Sequence, residues 1–222
     1  NCILPKDNLG YGGGNNLGLS RVKTNYALIL NPDVILKKDS IENFFKSANK
    51  NPEFGIIAPV SLNEKYTNFN HDKDIAVKEV ENVKGFAMFF NMKNLEKSHF
   101  FDENFFLYLE NDDLCLRVKK RNENIFIIKN SLIKHTGGIS KKQDFEYLRN
   151  WHWMWSKFYF NKKHYGFYIA ILKIFSNFLS SSFKFIFYSI IFNHHKKKIY
   201  QMRVSGLVNS ILGNKSFFRL NN

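Results

Sequence analysis

Asn8–Leu36, NLGYGGGNNLGLSRVKTNYALILNPDVIL, carries the fold in miniature. Gly10, Gly12, Gly13, Gly14 and Gly18 form a turn that opens a short helix ending in Ser20–Lys23. The apolar run Asn25–Leu30 follows as a buried strand, and Asn31-Pro32-Asp33 closes it. Proline cannot donate to a strand ladder, so the strand stops there and the Asp33 carboxylate sits at the carboxyl end of a sheet. Open α/β sheets bind their ligands along that edge. Two readings of Asp33 stand side by side: a carboxylate for Mg²⁺ or Mn²⁺ shared with substrate phosphates, or an ordinary turn, since Asn-Pro-Asp is a strong turn former. The glycines do not match G-x-G-x-x-G, and no Gly-Lys-Ser/Thr follows, so dinucleotide and P-loop readings fail. The Asn15 and Asn16 amides each donate and accept, which suits a base, a ribose or a sugar.

Working outward, Asp39 or Ser40 is positioned to cap a helix over Ile41–Lys50 that Pro52 stops. Phe54–Pro59 reads as a second strand, 61–81 as a polar loop, and Val83–Phe90 as a third strand followed by a helix to about His99. Asp112–Arg121 reads as a helix, with Ile125–Ile128 and Leu132–Ile133 extended. Strands alternating with helices predict an α/β layer fold with a mostly parallel sheet.

The 222 residues suffice for one sizeable core or a core plus an appendage, and 44% hydrophobic with 23% charged residues is a folded composition. Cys2 and Cys115 lie far apart and form no ligand spacing, which predicts a reducing, cytosolic setting. Asn1–Asp7 lacks the basic-then-apolar pattern of a signal peptide, and without an initiator Met the chain reads as a fragment or processed piece. The net charge of +14 is concentrated: residues 151–222 hold 11 Lys/Arg and no Asp or Glu, leaving 22 basic against 19 acidic residues in 1–150. Such asymmetry predicts an anionic partner surface, nucleic acid or membrane.

Within that tail, Phe167–Phe192 is apolar except for Lys173 and Lys184. As a helix it carries one narrow polar stripe of Lys173, Asn177, Ser180 or Ser181, Lys184 and Tyr188, and His194–Lys198 (HHKKK) follows at once. An apolar face, a cationic stripe and a basic flank predict a helix lying in a membrane interface. The alternatives are a core helix whose lysines snorkel and a true span. Long apolar sequence beside the charges suits lipid better than a phosphate groove, so nucleic acid is not expected.

Two further groups can carry chemistry. Phe101–Arg117, FDENFFLYLENDDLCLR, sets Asp102, Glu103, Glu110, Asp112 and Asp113 among aromatics. Acids in a first helical turn stabilise the N-terminus, whereas aromatic walls raise a carboxyl pKa toward general-base use. His135, in KHTGG, is either a structural hydrogen-bonder or a metal ligand.

Taken in order, these pieces resemble glycosyltransferase family 2, the GT-A-fold enzymes of the rhamnosyltransferase-like branch. NLGYGGGNNLG is similar to that family's N-x-G-F-x-x-x-N-N-x-G element, LNPDV to its form of the Asp-x-Asp motif, and GFAMFF to its central strand. FDENFFLYLENDDLCLR resembles F-D-E-x-F-F-x-Y-x-E-D-x-D-L-C-x-R, HTGGIS a later His-x-x-x-x-Ser segment, and WSKFYFNKKHYG with the basic tail the C-terminal region. The resemblance implies a partial GT-A-like catalytic domain over 1–150, lacking an N-terminal strand-helix-strand portion, and a helical, membrane-associating region over 151–222. It implies inverting transfer of a sugar from a nucleotide-diphosphate donor to a hydroxyl of a lipid-linked or surface polysaccharide, at the inner face of the cell membrane. Asp33 and His135 would hold Mn²⁺ or Mg²⁺, with Asn31 in place of the motif's first acid, and Asn15, Asn16, Asn31 and Gly85 would line the donor site. Asn111 stands where the family has its base, and an amide cannot take a proton. Glu110 is then the favoured base and Asp112 the second, with Asp113 orienting. The same two departures also admit a catalytically inactive remnant that binds membrane or glycan.

Overall fold

A computed structural model describes residues 2–62, 76–97, 99–136 and 143–219. The chain forms two compact units: Asn1–Lys6 with Gly13–Asp102 and Asn111–Gly138, and Asp7–Gly12 with Glu103–Glu110 and Ile139–Asn222. The elements are α1 (Gly10–Leu19), β1 (Tyr26–Leu30), β2 (Val34–Leu36), α2 (Ser40–Lys50), β3 (Phe54–Ser61), β4 (Val77–Glu79), β5 (Ala87–Asn91), α3 (Met92–Lys97), α4 (Glu110–Lys119), β6 (Asn124–His135), α5 (Gln143–Tyr165), α6 (Phe167–Ile190) and α7 (His194–Ile211).

The first unit is built on a six-stranded sheet in the order β1-β5-β3-β6-β2, with β4 also on β6. The long strand β6 pairs with β3 along one edge and shares its other edge between β4, opposite Phe126–Ile128, and β2, opposite Ile133–His135. The α/β layer architecture expected from the sequence is present, but its mostly parallel sheet is corrected: only β3·β6 is parallel, and the other pairings are antiparallel. The physical reason lies in β5. Strands β1 and β3 point the same way, but β5 inserts between them in the opposite direction and takes both sets of ladder bonds. A second correction concerns 61–81, read as a loop, which contains β4; residues 63–75 lie outside the described residues. The glycine stretch, read as a turn before a helix, is itself helical from Gly10 onward, with Asn8 Oδ1 accepting from Gly10 N at 3.0 Å.

Helix α2 packs Phe44 and Ala48 on Phe54, Ile57, Phe89, Phe126 and Ile128. The Phe44 and Phe89 rings stack at 5.2 Å. Asp39 precedes α2 in the left-handed region (φ 64°) and makes no side-chain cap bond. Ser40 anchors the helix start instead: its hydroxyl donates to the Leu132 carbonyl at 2.7 Å and accepts from Leu132 N at 3.2 Å, tying α2 to β6.

The second unit is three long helices. Met154 and Phe158 of α5, Ala170 and Ile174 of α6 and Leu207 of α7 form its core. Gly206 permits close approach of α7 to α5, because a Cβ there would lie 2.2 Å from the Trp151 carbonyl oxygen. The residues after α7 return along α5. His152, fully buried, has Nε2 2.8 Å from the Phe218 carbonyl and Nδ1 3.0 Å from the Ser216 hydroxyl. A carbonyl only accepts, so Nε2 carries the proton and Nδ1 accepts from Ser216. Burial holds the imidazole's pKa down to about 4.

Helix α6 buries Ala170 and Ile174 and leaves a broad apolar face exposed. Two residues of its polar stripe face the neighbouring helices, while Lys173 and Lys184 are exposed: Lys157 Nζ donates to Asn177 Oδ1 at 2.7 Å, and Arg203 Nε donates to buried Ser181 Oγ at 3.2 Å. The Lys173 ammonium lies 3.8 Å from the Tyr165 ring centre, and that of Lys184 lies 5.4 Å from Tyr200. The apolar face points outward, with Tyr168 83%, Leu172 76% and Phe183 70% exposed.

Gly206→Ala is expected to lower stability by about 1–3 kcal/mol, since backbone rather than a movable side chain occupies the space; thermal unfolding measures it. Because His152 is held neutral in the folded state, its contribution is complete above pH 6.5 and is lost as pH falls through 4, by about 3 kcal/mol. Urea unfolding of wild type and His152→Gln from pH 7.5 to 4 is expected to show that the variant lacks this part of the acid slope.

Candidate active site

The turn after β1 is fixed by its backbone. Asn31 N donates to the Phe86 carbonyl at 2.9 Å, and Val34 N donates to the Asn31 carbonyl at 3.1 Å, closing a four-residue turn with Pro32 in its second position. Across the sheet, Thr136 donates to the Asp33 carbonyl twice, from its amide and from its hydroxyl, each at 3.0 Å. This places Val34 opposite His135 in the β2·β6 ladder. From the turn just before β2, the Asp33 carboxylate meets the His135 ring, Oδ2 to Nε2 at 3.2 Å, with both side chains about one-quarter exposed. The Phe86 ring, next to Gly85, stacks on the imidazole at 4.6 Å.

Asn31, Asp33, Gly85 and His135 are therefore gathered around the carboxyl ends of β1 and β6, the edge where α/β sheets take ligands. A carboxylate and a neutral imidazole are adequate donors for Mn²⁺ or Mg²⁺. Among the described residues no group of three or more His, Cys, Asp or Glu side chains is placed to hold a metal. Two protein ligands completed by phosphate oxygens and water is the usual arrangement for such ions on nucleotide substrates, so the pair fits the group.

The acids of α4 divide. Asp112 accepts from Asn82 Nδ2 at 3.0 Å, and burial raises its pKa, partly offset by that hydrogen bond and by Lys84. Asn111 Nδ2 donates to the Val83 carbonyl at 2.9 Å, so the first turn of α4 is fastened to the 82–86 segment that also carries Gly85 and Phe86. Asp113 is fully buried and accepts from Arg117 Nε at 2.9 Å, while the same guanidinium donates to the Phe100 carbonyl. Its carboxylate holds α4 to the preceding loop. Glu110 falls in the second unit, buried at the first position of α4. It follows Tyr108 and Leu109, both in the left-handed region (φ 73° and 66°). Consecutive non-glycine residues in that region store strain of about 1–3 kcal/mol each. Tyr108 is held by a hydrogen bond from Arg149 Nε at 2.8 Å and by the edge of Trp153.

The two asparagines of α1 differ. Asn15 is half-buried in the helix. Asn16 spends its amide on the chain itself: Nδ2 donates to the Phe101 carbonyl at 2.9 Å, and Oδ1 accepts from Phe101 N at 3.0 Å. Sequence reasoning missed Phe86, Thr136 and Asn82. The first two adjoin Gly85 and His135 and could have been found as neighbours of named residues; nothing in the sequence marks Asn82.

No family model matches the chain. The low-salt glycan biosynthesis hexosyltransferase Agl10 of Haloferax volcanii is 27% identical over 141 residues, 53% of this chain and 46% of that protein. The chain thus spans about half the length of this curated relative. The mannosyltransferase PcManGT from Pyrobaculum calidifontis, solved in complex with GDP-Man and Mn²⁺, superposes with a TM-score of 0.52 at 11% identity over 93% of this chain and 68% of that one. The chain has a glycosyltransferase fold. S. aureus TarS 1–349 aligns over 95% of this chain and 74% of that one at 8% identity, with a TM-score of 0.46 that carries no further argument.

In this glycosyltransferase fold the Asn16–Phe101 clamp links α1 to the loop that the Arg117–Asp113 pair also holds. Asn16→Ala removes two hydrogen bonds and leaves a backbone pair unmatched, an expected loss of about 1–3 kcal/mol in urea unfolding, with no recovery in Asn16→Asp, which lacks the donor.

Proposed function

We propose that the chain is the core of an inverting glycosyltransferase of the family 2, rhamnosyltransferase-like type, moving a hexosyl or rhamnosyl group from a nucleotide-diphosphate sugar to a hydroxyl of a lipid-linked or surface glycan. The observation that carries this reading is the Asp33–His135 pair at the carboxyl ends of β1 and β6. The glycan-biosynthesis relative and the GDP-Man and Mn²⁺ complex of the structural neighbour support it. Donor binding belongs to 1–150 and membrane association to the helical region 151–222, peripheral at the cytoplasmic face.

In this mechanism Asp33 and His135 would hold a divalent ion, which would supply positive charge to offset that on the leaving diphosphate. Asn31 and the backbone at Gly85 border the donor, as does Asn15, while Asn16 acts through its clamp on Phe101. The acceptor proton goes to a carboxylate of the first turn of α4. Asp112 suits this role because its pKa is raised toward that of a working base; Glu110 is the other carboxylate of that turn. Asp113 positions the helix.

A second reading, a catalytically silent GT-A remnant, is favoured by one observation: the Asn111 side chain serves as a tie to Val83 where the family resemblance expects the base. Two measurements separate the readings. Thermal shift with GDP, UDP and dTDP, each with and without Mn²⁺, is expected to show a metal-dependent rise for one nucleotide that Asp33→Ala abolishes. Sugar transfer is then expected to fall at least a hundredfold in Asp112→Asn if Asp112 is the base, or in Glu110→Gln if Glu110 is. Nucleotide binding without transfer supports the silent remnant, and no shift with any nucleotide contradicts the enzyme reading and leaves the remnant, with membrane or glycan binding as its function.

A further inference from the structure

We infer that the outward face of α6 is a membrane-docking surface that lies in the plane of an anionic bilayer, its apolar stripe among the acyl chains and its flanking lysines on the headgroups. This gives the peripheral membrane placement a specific face, orientation and lipid chemistry, and it stands or falls independently of the donor site. Leu172, Phe175, Leu179, Phe183, Ile186 and Ile190 recur at helical spacing and are all exposed. From Tyr168 to Ile190 the stripe runs for about 33 Å, at 1.5 Å per residue.

Three features of the molecule select this occupant. First, α6 does not need its outer apolar face for folding: Ala170, Ile174, Asn177 and Ser181 make its packed side, while Lys173 and Lys184 are exposed beside the Tyr165 and Tyr200 rings. The exposed lysines lie beside the apolar stripe, where their ammoniums can reach headgroups while the stripe is immersed. Second, the charge at both ends suits anionic headgroups. Lys162 and Lys163 are exposed near the end of α5, and Lys196 and Lys198 in the first turn of α7, while 151–222 contains no acidic residue. Third, the same charges oppose the alternatives. Pairing with a second copy, parallel or antiparallel, would bring lysine clusters against lysine clusters at both ends. A span, although α6 is long and apolar enough for one, would require breaking the Lys157–Asn177 and Arg203–Ser181 bonds or carrying α5 and α7 into hydrocarbon. In-plane insertion keeps those bonds and immerses only the exposed stripe.

The test uses the full chain and flotation with vesicles of phosphatidylcholine alone or with 30% phosphatidylglycerol. We expect binding to the anionic vesicles at least tenfold stronger than to the neutral ones, weakened at high salt. Leu172→Glu/Phe183→Glu is expected to lose binding at least tenfold, with circular dichroism unchanged because both residues are exposed. Lys162→Gln/Lys198→Gln is expected to lose the anionic preference alone. Should the double glutamate variant unfold, the milder Phe183→Ser is expected to weaken binding severalfold. Equal binding by wild type and a folded double glutamate variant overturns the inference. So does a wild-type dimer, by light scattering, that this variant makes monomeric without any vesicle binding. Retention on vesicles after alkaline carbonate washing overturns it in favour of a span.

Discussion

The sheet unit depends on the registration of β2 against β6. Thr136 donates twice to the Asp33 carbonyl, and this fixes Val34 opposite His135. Asp33 lies in the turn before β2 rather than within the ladder, so the strand's alternation of faces does not hold its carboxylate away from His135. With the register set, a carboxylate and an imidazole separated by some hundred residues in sequence stand 3.2 Å apart. Phe86 then limits the ring's orientation from one side, while the Asn31–Phe86 bond ties the turn to the segment preceding β5. The segment bearing Gly85 and Phe86 is in turn fastened to α4 through Asn82 and Asn111. Substrate chemistry at this edge would rest on a backbone arrangement with few free dihedrals.

The helical unit obeys a different constraint. Gly206 lets α5 and α7 approach to backbone contact, and buried His152 binds the returning C-terminal segment through both ring nitrogens. Around that framework α6 turns Asn177 and Ser181 to the neighbouring helices and sets exposed Lys173 and Lys184 over tyrosine rings. The result is a folded unit with a continuous apolar stripe on its outside.

Much of this was legible in the sequence, for local reasons. The β1 strand and its Asn-Pro-Asp turn follow from an apolar run ended by proline, and α2, α4 and α6 from helical periodicity. Asp33 and His135 were both marked as candidates, but only the family resemblance joined them. What was not legible is nonlocal. The insertion of β5 between β1 and β3 cannot be read from alternation, since a strand's pattern gives its faces and not its neighbours. The short strand β4 exists because β6 offers it an edge, not because Val77–Glu79 has a strong pattern. The Asn16 clamp depends on Phe101, far along the chain, so a residue suited to binding sugar serves the protein's own backbone. For α6 the periodicity gives a polar stripe without saying which of its residues pack: Asn177 and Ser181 turn to the neighbouring helices, while Lys173 and Lys184 are exposed.

The central claim is that Asp33 and His135 form a diphosphate-assisted metal site. Electron paramagnetic resonance of Mn²⁺ titrated with the protein, with and without the nucleoside diphosphate, tests it most directly. The account predicts that the free-ion signal falls toward one ion per chain only when the nucleotide is present, and that Asp33→Ala and His135→Ala each restore it. A signal that falls equally in both variants, or never falls in the wild type, would contradict it.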